Sequence, residues 1–205
     1  MVDGSVSMKC VGVILAGGEA TRFGGQPKGL QIVDGVRIID RVANALREVA
    51  DDLLLVANHP AASEWLPGVR TEADVRRGEG ALGGLHAALS HARGSATLVV
   101  AWDMPYVNAD LLRALRALGE AGADAAVAES SSSGRGVEPL CAWYGPACLH
   151  AIEARLNAGD RRVVSFFEDV RVSTLAAAEV SQWGDPSRMF FNVNTPLDLP
   201  PAPQP

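Results

Sequence analysis

The chain of 205 residues has little cysteine, and the count is odd: Cys10, Cys141 and Cys148, with no C-x-x-C spacing. That usage excludes a disulfide framework and a thiolate zinc site, and it fits a reducing, cytoplasmic compartment. Cys10 and Cys141 lie inside apolar runs and read as small buried hydrophobes, not nucleophiles. No apolar run approaches the ~18 residues that a membrane-spanning helix needs. Residues 1–9 lack a basic segment leading into a long apolar stretch, so no secretory signal is expected. Positive charge is also scarce: Lys and Arg total 18 against 24 Asp and Glu, a net charge of −6. That argues against general nucleic-acid binding, although local cations and a metal can still serve a small anionic ligand. His59, His86, His91 and His150 are not at metal-ligand spacing, and Ser131–Ser133 have no His/Asp partner pattern.

Two phosphate-binding patterns are missing as well. A P-loop closes on Gly-Lys-Ser/Thr, whereas Lys28 is followed by Gly29 and Leu30. The dinucleotide pattern G-x-G-x-x-G is absent after the first strand. It occurs at Gly78–Gly83, but charged Asp74, Arg76 and Arg77 precede it where a buried strand is required.

What is present is an alternation of strand and helix patterns with 48% hydrophobic residues, enough for one sizeable core. Strands are expected at Val11–Leu15, Asp52–Ala57, Val69–Thr71, Ala96–Ala101, Ala123–Ala128, Glu138–Tyr144 and Val170–Leu175. Helices are expected at Ile39–Ala50, Ala61–Leu66, Gly83–Ala92, Ala109–Ala121, Ala147–Leu156 and Asp160–Phe167, the last capped by Asp160. Asp34-Gly35 between Leu30–Val33 and Val36–Ile38 predicts a small hairpin. Glu129–Gly136, rich in serine and glycine, reads as a surface loop. The sum is a single α/β domain over 9–199, a mostly parallel twisted sheet with helices on both faces. A short extension (1–8) precedes it and a proline-rich tail (200–205) follows.

The richest segment is the loop after the first strand. Gly17, Gly18, Gly24 and Gly25 let the backbone turn tightly and approach a ligand. Exposed N–H groups in such a loop form an anion-binding concavity, and Arg22 and Lys28 add positive charge, which together suggest a nucleoside triphosphate site. Asp103 follows the strand Ala96–Ala101 at a carboxyl end, where ligands gather in open α/β sheets. Such a carboxylate either caps the next turn or holds Mg²⁺. Asn58 ends the second strand, with an amide suited to a nucleoside edge or to a turn.

Leu15-Ala16-Gly17-Gly18, then Arg22-Phe23-Gly24-Gly25, then Pro27-Lys28, resembles the opening motif of the molybdenum cofactor guanylyltransferases, with Phe23 where methionine is usual. The resemblance extends along nearly the whole chain and implies a Rossmann-like nucleotidyltransferase fold. Asp103-Met104-Pro105-Tyr106 is similar to that family's metal motif, so Asp103 is the expected Mg²⁺ ligand. Asp74, with Glu72 as its rival, stands before Gly80-Ala81-Leu82-Gly83-Gly84, a departure from G-P-L-A-G; this implies an acidic contact to guanine or ribose. Gly159-Asp160-Arg161-Arg162-Val163 and Asn192-Val193-Asn194-Thr195-Pro196 match two later motifs. Arg161, Arg162, Asn192 and Asn194 are therefore candidates for holding the acceptor, against plainer readings as surface charges and turn formers. Glu138-Pro139-Leu140-Cys141-Ala142 echoes a strand on the acceptor side.

The implied reaction transfers GMP from GTP to the terminal phosphate of molybdopterin. In it Leu15, Ala16, Gly17, Gly18, Lys28, Asn58, Asp74 and Asp103 bind the nucleotide, and Arg22, Lys28 and Asp103 act in catalysis. Molybdoenzymes or their maturation factors are the implied protein partners, with no nucleic acid and no membrane. The alternatives are a CTP-dependent cytidylyltransferase (such relatives read L-A-A-G), a sugar-phosphate nucleotidyltransferase, and a non-catalytic module that delivers nucleotide or pterin.

Overall fold

The computed structural model describes residues 8–17, 27–130 and 134–199. Its strands and helices in chain order are β1 (Cys10–Leu15), β2 (Ile32–Val33), β3 (Val36–Arg37), α1 (Ile38–Arg47), β4 (Asp52–Val56), β5 (Arg70–Glu72), α2 (Gly80–His91), β6 (Ala96–Ala101), α3 (Ala109–Glu120), β7 (Ala125–Ser130), β8 (Gly136–Val137), β9 (Cys141–Tyr144), α4 (Cys148–Asn157), β10 (Val172–Leu175), α5 (Ala177–Val180) and α6 (Pro186–Met189).

The central sheet runs β10-β7-β9-β6-β1-β4-β5, with β8 paired to β7. β1 is parallel to β4 and β6, β4 to β5, and β7 to β10. β9 alone in that row runs antiparallel, to both β6 and β7. β1 and β6 are buried along their whole length, which is why they read as nearly continuous apolar runs, broken only by Thr97 in β6.

Alternation along these strands feeds two cores. Ile14, Leu55, Leu98 and Val100 face one way, against Val42 and Leu46 of α1 and Leu111 and Leu115 of α3. Val13, Leu54 and Val99 face the other, against Leu82, Leu85 and Leu89 of α2 and Ile152 of α4. The expected layering is therefore observed. The hairpin β2–β3 turns through Asp34 (φ 50°) and Gly35 (φ 80°), both left-handed, as a tight two-residue turn requires.

Five expectations are corrected. The helix expected at Ala61–Leu66 is a 3-10 turn at Ala62–Glu64, and the loop expected at Glu129–Gly136 is strand at both ends, β7 running to Ser130 and β8 opening at Gly136. The helix expected from Asp160 to Phe167 reduces to a 3-10 turn at Ser165–Asp169. The Asp160 carboxylate instead accepts the Arg162 N–H at 3.0 Å and its guanidinium at 2.6 Å, a local bond that competes with helix formation. The Glu138–Tyr144 strand starts only at Cys141, because Pro139 has no N–H and Glu138 Oε1 accepts the Leu140 N–H at 3.2 Å. Helix α2 starts at Gly80, three residues before the expected Gly83, its glycine-rich opening having masked the start.

Candidate active site

The register of the parallel strands sets Leu15 beside both Val56 and Ala101, so β1, β4 and β6 end on one edge of the sheet. Asn58, Asp74 and Asp103 follow β4, β5 and β6 onto that edge, and Ala16 and Gly17 follow β1. The edge is held by the backbone: Ala16 N–H donates to Val56 O at 2.9 Å, Trp102 N–H to Leu15 O at 3.1 Å, and Ala57 N–H to Glu72 O at 2.9 Å. Gly18 and Arg22, like Ser131–Ser133, lie outside the described residues.

Asp103 is buried to 7% exposure, and its Oδ2 is paired with the Lys28 ammonium across 75 residues of chain. Lys28 is set by a 3-10 turn, Lys28–Leu30, that follows extended Pro27. The next residue, Gly29, lies against the Trp102 ring; a Cβ there would come within 2.8 Å of Trp102 Cδ2. Trp102 is stacked on Trp65 at 5.2 Å between centroids, and Trp65 lies 5.1 Å from His59. An aromatic column therefore supports the turn that carries Lys28. Among the described residues no donor meets Asp103 Oδ1, although that atom is buried. A buried carboxylate oxygen without a donor costs stability unless a cation or another donor arrives. Asp103 thus fits a metal-holding role on its own geometry.

Asn58 and Asp74 form a reciprocal pair. Asn58 Nδ2 donates to Asp74 Oδ2 at 2.6 Å, and Asp74 N–H donates to Asn58 Oδ1 at 3.0 Å. Glu72, the rival acid, stays on β5 beside Arg70 at 3.8 Å. Asn58 therefore orients the Asp74 carboxylate, a role that the Asn-His-Pro string did not disclose. Gly84 on α2 is close enough that a Cβ would stand 3.7 Å from Leu15 Cδ1, which brings the first turns of α2 alongside the end of β1.

The acceptor candidates divide. The 191–194 segment joins the site through its backbone: Val193 N–H donates to Asp103 O at 2.9 Å. The amides of Asn192 and Asn194 turn to nearby carbonyls, Phe190 O at 3.0 Å and Asn192 O at 3.3 Å. Asp198 Oδ2 fixes the following turn by accepting from the N–H groups of Asn194 and Thr195. Arg161 is paired with Glu79 at 2.5 Å, next to the start of α2, and Arg162 with Asp160, so neither is gathered onto Asp103.

Glu138 was named in the sequence only as part of a strand motif, yet it is buried to 6% exposure. Burial pushes its carboxyl above the ordinary range; the Leu140 N–H and the Arg135 charge draw it back, and the charge of Asp103 adds to the rise. The available signal was an acidic residue opening an apolar strand run.

Among the described residues, no cluster of three or more His, Cys, Asp and Glu side chains could hold a metal ion, and no helix is long and apolar enough to cross a membrane. A groove of about 590 Å³ near Arg41, Tyr106, Asn108 and Arg188 is lined by none of the expected site residues.

Residues 12–174 match the model of the MobA-like NTP transferase domain. A probable molybdenum cofactor guanylyltransferase of Pelotomaculum thermopropionicum is 38% identical over 192 residues, covering 94% of this chain and 91% of that protein. The molybdenum cofactor guanylyltransferase of Desulfosudis oleivorans is 33% identical, with 93% of each chain covered. Among solved structures, molybdopterin-guanine dinucleotide biosynthesis protein A of Archaeoglobus fulgidus superimposes with a TM-score of 0.75 at 26% identity, covering 92% of this chain and 94% of that one. With the Lys28–Asp103 pair and the strand-end carboxylates on one edge of the sheet, the chain belongs to the molybdenum cofactor guanylyltransferase family of MobA-like nucleotidyltransferases.

Proposed function

We propose that the chain transfers GMP from GTP to the terminal phosphate of molybdopterin. A phosphate oxygen of the acceptor attacks the α-phosphorus in line. The bond to the bridging oxygen of the β-phosphate breaks, and pyrophosphate leaves with the electron pair. No covalent enzyme intermediate is needed, so the protein's task is to position two substrates and offset charge. The observation that carries this reading is the buried Asp103, paired with Lys28 at the strand ends and left, among the described residues, with one oxygen that no donor meets.

In this scheme the backbone of Leu15, Ala16, Gly17 and Gly18 contacts base and phosphates, and Lys28 and Arg22 receive the charge that builds on pyrophosphate. Asp74, steadied by Asn58, contacts guanine or ribose. Asp103 would hold the divalent metal, which we take to be Mg²⁺ and which supplies Lewis-acid stabilisation of phosphate charge. Arg161, Arg162, Asn192 and Asn194 remain the candidates for the acceptor side; the arginines must release Glu79 and Asp160 to serve. Residues 9–199 form the catalytic domain in this reading, and the product passes to molybdoenzymes or their maturation factors in the cytoplasm. The buried unpaired thiols suit that compartment.

The test is pyrophosphate release on mixing the protein with GTP, Mg²⁺ and molybdopterin, with CTP in parallel. Release with GTP supports the reading. Faster release with CTP replaces guanylyl by cytidylyl transfer. Tight nucleotide binding without release makes the chain a delivery module.

A further inference from the structure

Glu79 has no part of its own in the scheme above, yet its carboxylate joins two separate segments. Its Oε2 accepts from Arg161 Nε at 2.5 Å, and its Oε1 lies 3.8 Å from Arg76 Nη2. Arg76 Nη1 in turn donates to Asn157 Oδ1 at 2.8 Å, which sets the end of α4 beside the segment that leads from Asp74 into α2. One carboxylate therefore links the segment that carries Asp74, on the nucleotide side, to the segment that carries Arg161, on the acceptor side.

The two ends of the Glu79–Arg161 bond are held very differently. Gly78 and Gly80, on either side of Glu79, are both left-handed (φ 79° and 63°). Gly83, one turn further on, makes room for the Glu79 side chain: a Cβ there would come within 2.7 Å of Glu79 Cβ. The Glu79 side chain is 16% exposed, that of Arg161 61%. Among the described residues the Arg161 guanidinium has no second partner. Glu79 does have one, since Arg76 is anchored by Asn157 independently of Arg161. Glu79 also stands at the N-cap position of α2, where the helix favours negative charge. Once a phosphate reaches Arg161, breaking the bond strands no charge on either side. A bond that only stitched two segments together would gain nothing from the second cation.

We propose that Glu79 is the resting partner of Arg161, an internal carboxylate that occupies the guanidinium until the terminal phosphate of the acceptor displaces it. The proposal rests on the reading that assigns Arg161 to the acceptor. Guanidinium matches phosphate in a two-pronged geometry, and a phosphate offers it more charge than one carboxylate oxygen, so the exchange runs towards the substrate. Glu79 then keeps Arg76 as its counter-ion. Holding Arg161 back weakens acceptor binding and leaves nucleotide binding at the strand ends unaltered.

The test measures pyrophosphate release at varied molybdopterin and, separately, at varied GTP. Glu79→Gln keeps the side-chain length and an oxygen for Arg161 Nε, so its fold should stand, which the thermal midpoint checks. An exposed ion pair of this kind amounts to a factor of about 2 to 5. The KM for molybdopterin should fall by that factor in Glu79→Gln, with the KM for GTP unchanged. Arg161→Ala should raise the KM for molybdopterin, and adding Glu79→Gln to it should change nothing further. An unchanged or raised molybdopterin KM in folded Glu79→Gln, or a fall in both KM values, overturns the exchange; a raised molybdopterin KM in Arg161→Ala would still keep Arg161 on the acceptor side. An Arg161→Ala variant with the molybdopterin KM of the parent overturns both.

Discussion

Lys28 and Asp103 neutralise one another, and in the proposed scheme each has a different partner, a triphosphate for the ammonium and a divalent metal for the carboxylate. Asp103→Asn should therefore lower pyrophosphate release on the order of 10³-fold, while Arg22→Ala, which removes one of several phosphate contacts, should leave a slow but measurable enzyme. Comparable rates in the two variants would remove Asp103 from its central place. Gly29→Ala is the complementary test of support. Its added methyl would overlap the Trp102 ring, which is itself held by Trp65. Overpacking of this kind costs about 1–3 kcal/mol. Urea unfolding should show that loss together with a raised KM for GTP, because the turn carrying Lys28 is displaced. At this scale the sequence disclosed Asp103 through its position after a buried strand. It did not disclose the Asn58–Asp74 pairing or the burial of Glu138, since those depend on which strands become neighbours.

The elements differ in how much of themselves the chain spells out. β6 was legible to the residue, because five of its six positions are apolar, Thr97 alone excepted, and the buried run ends at Trp102-Asp103. α1 and α3 were legible from helical spacing, their apolar faces being buried on the sheet. β9 was overextended and α2 started late, because Pro139 and the glycines of 80–84 act through backbone details that periodicity does not register. The antiparallel direction of β9 has no signature in its own residues. At the start of α3, Asn108 does double duty. Its Oδ1 accepts from Leu111 N–H at 3.0 Å as the helix cap, and its Nδ2 donates to Trp183 O at 2.8 Å, tying the helix start to the segment between α5 and α6. Asn108→Ala should cost about 1–2 kcal/mol in urea unfolding, with turnover by the folded fraction unchanged. Farther along, Gly119 lets α3 lie directly on the Trp143 ring of β9, where a Cβ would come within 2.6 Å of Cε2. Gly119→Ala should destabilise the protein by about 1–3 kcal/mol.

For the molecule as a whole, the thiols report global opening. Burial pushes Cys10 up to about 11 and Cys148 up to about 12, and raises Cys141 as well. A thiol reagent at pH 8 should leave the native protein unmodified and label all three cysteines, Cys10, Cys141 and Cys148, once it is denatured. Acid stability follows from carboxylates held below their usual range: Asp124 by the Arg171 guanidinium, Asp160 by Arg162, Asp185 by the Ser187 hydroxyl, and Asp198 by the Asn194 N–H. Folded values below unfolded ones stabilise the protein above the ordinary aspartate value of 3.8. That contribution is lost as pH falls through the folded values, which reach about 2 for Asp160. The thermal midpoint should decline across this window. Because these groups lie at the surface, added salt should flatten the decline.

The column of His59, Trp65 and Trp102 has a practical consequence. It holds two of the four tryptophans and ends against Gly29, one residue from the ammonium proposed to receive the triphosphate. Any ligand that draws Lys28 away from Asp103 alters the surroundings of an indole already in place, so occupancy will register in the protein's own ultraviolet emission, with no dye attached.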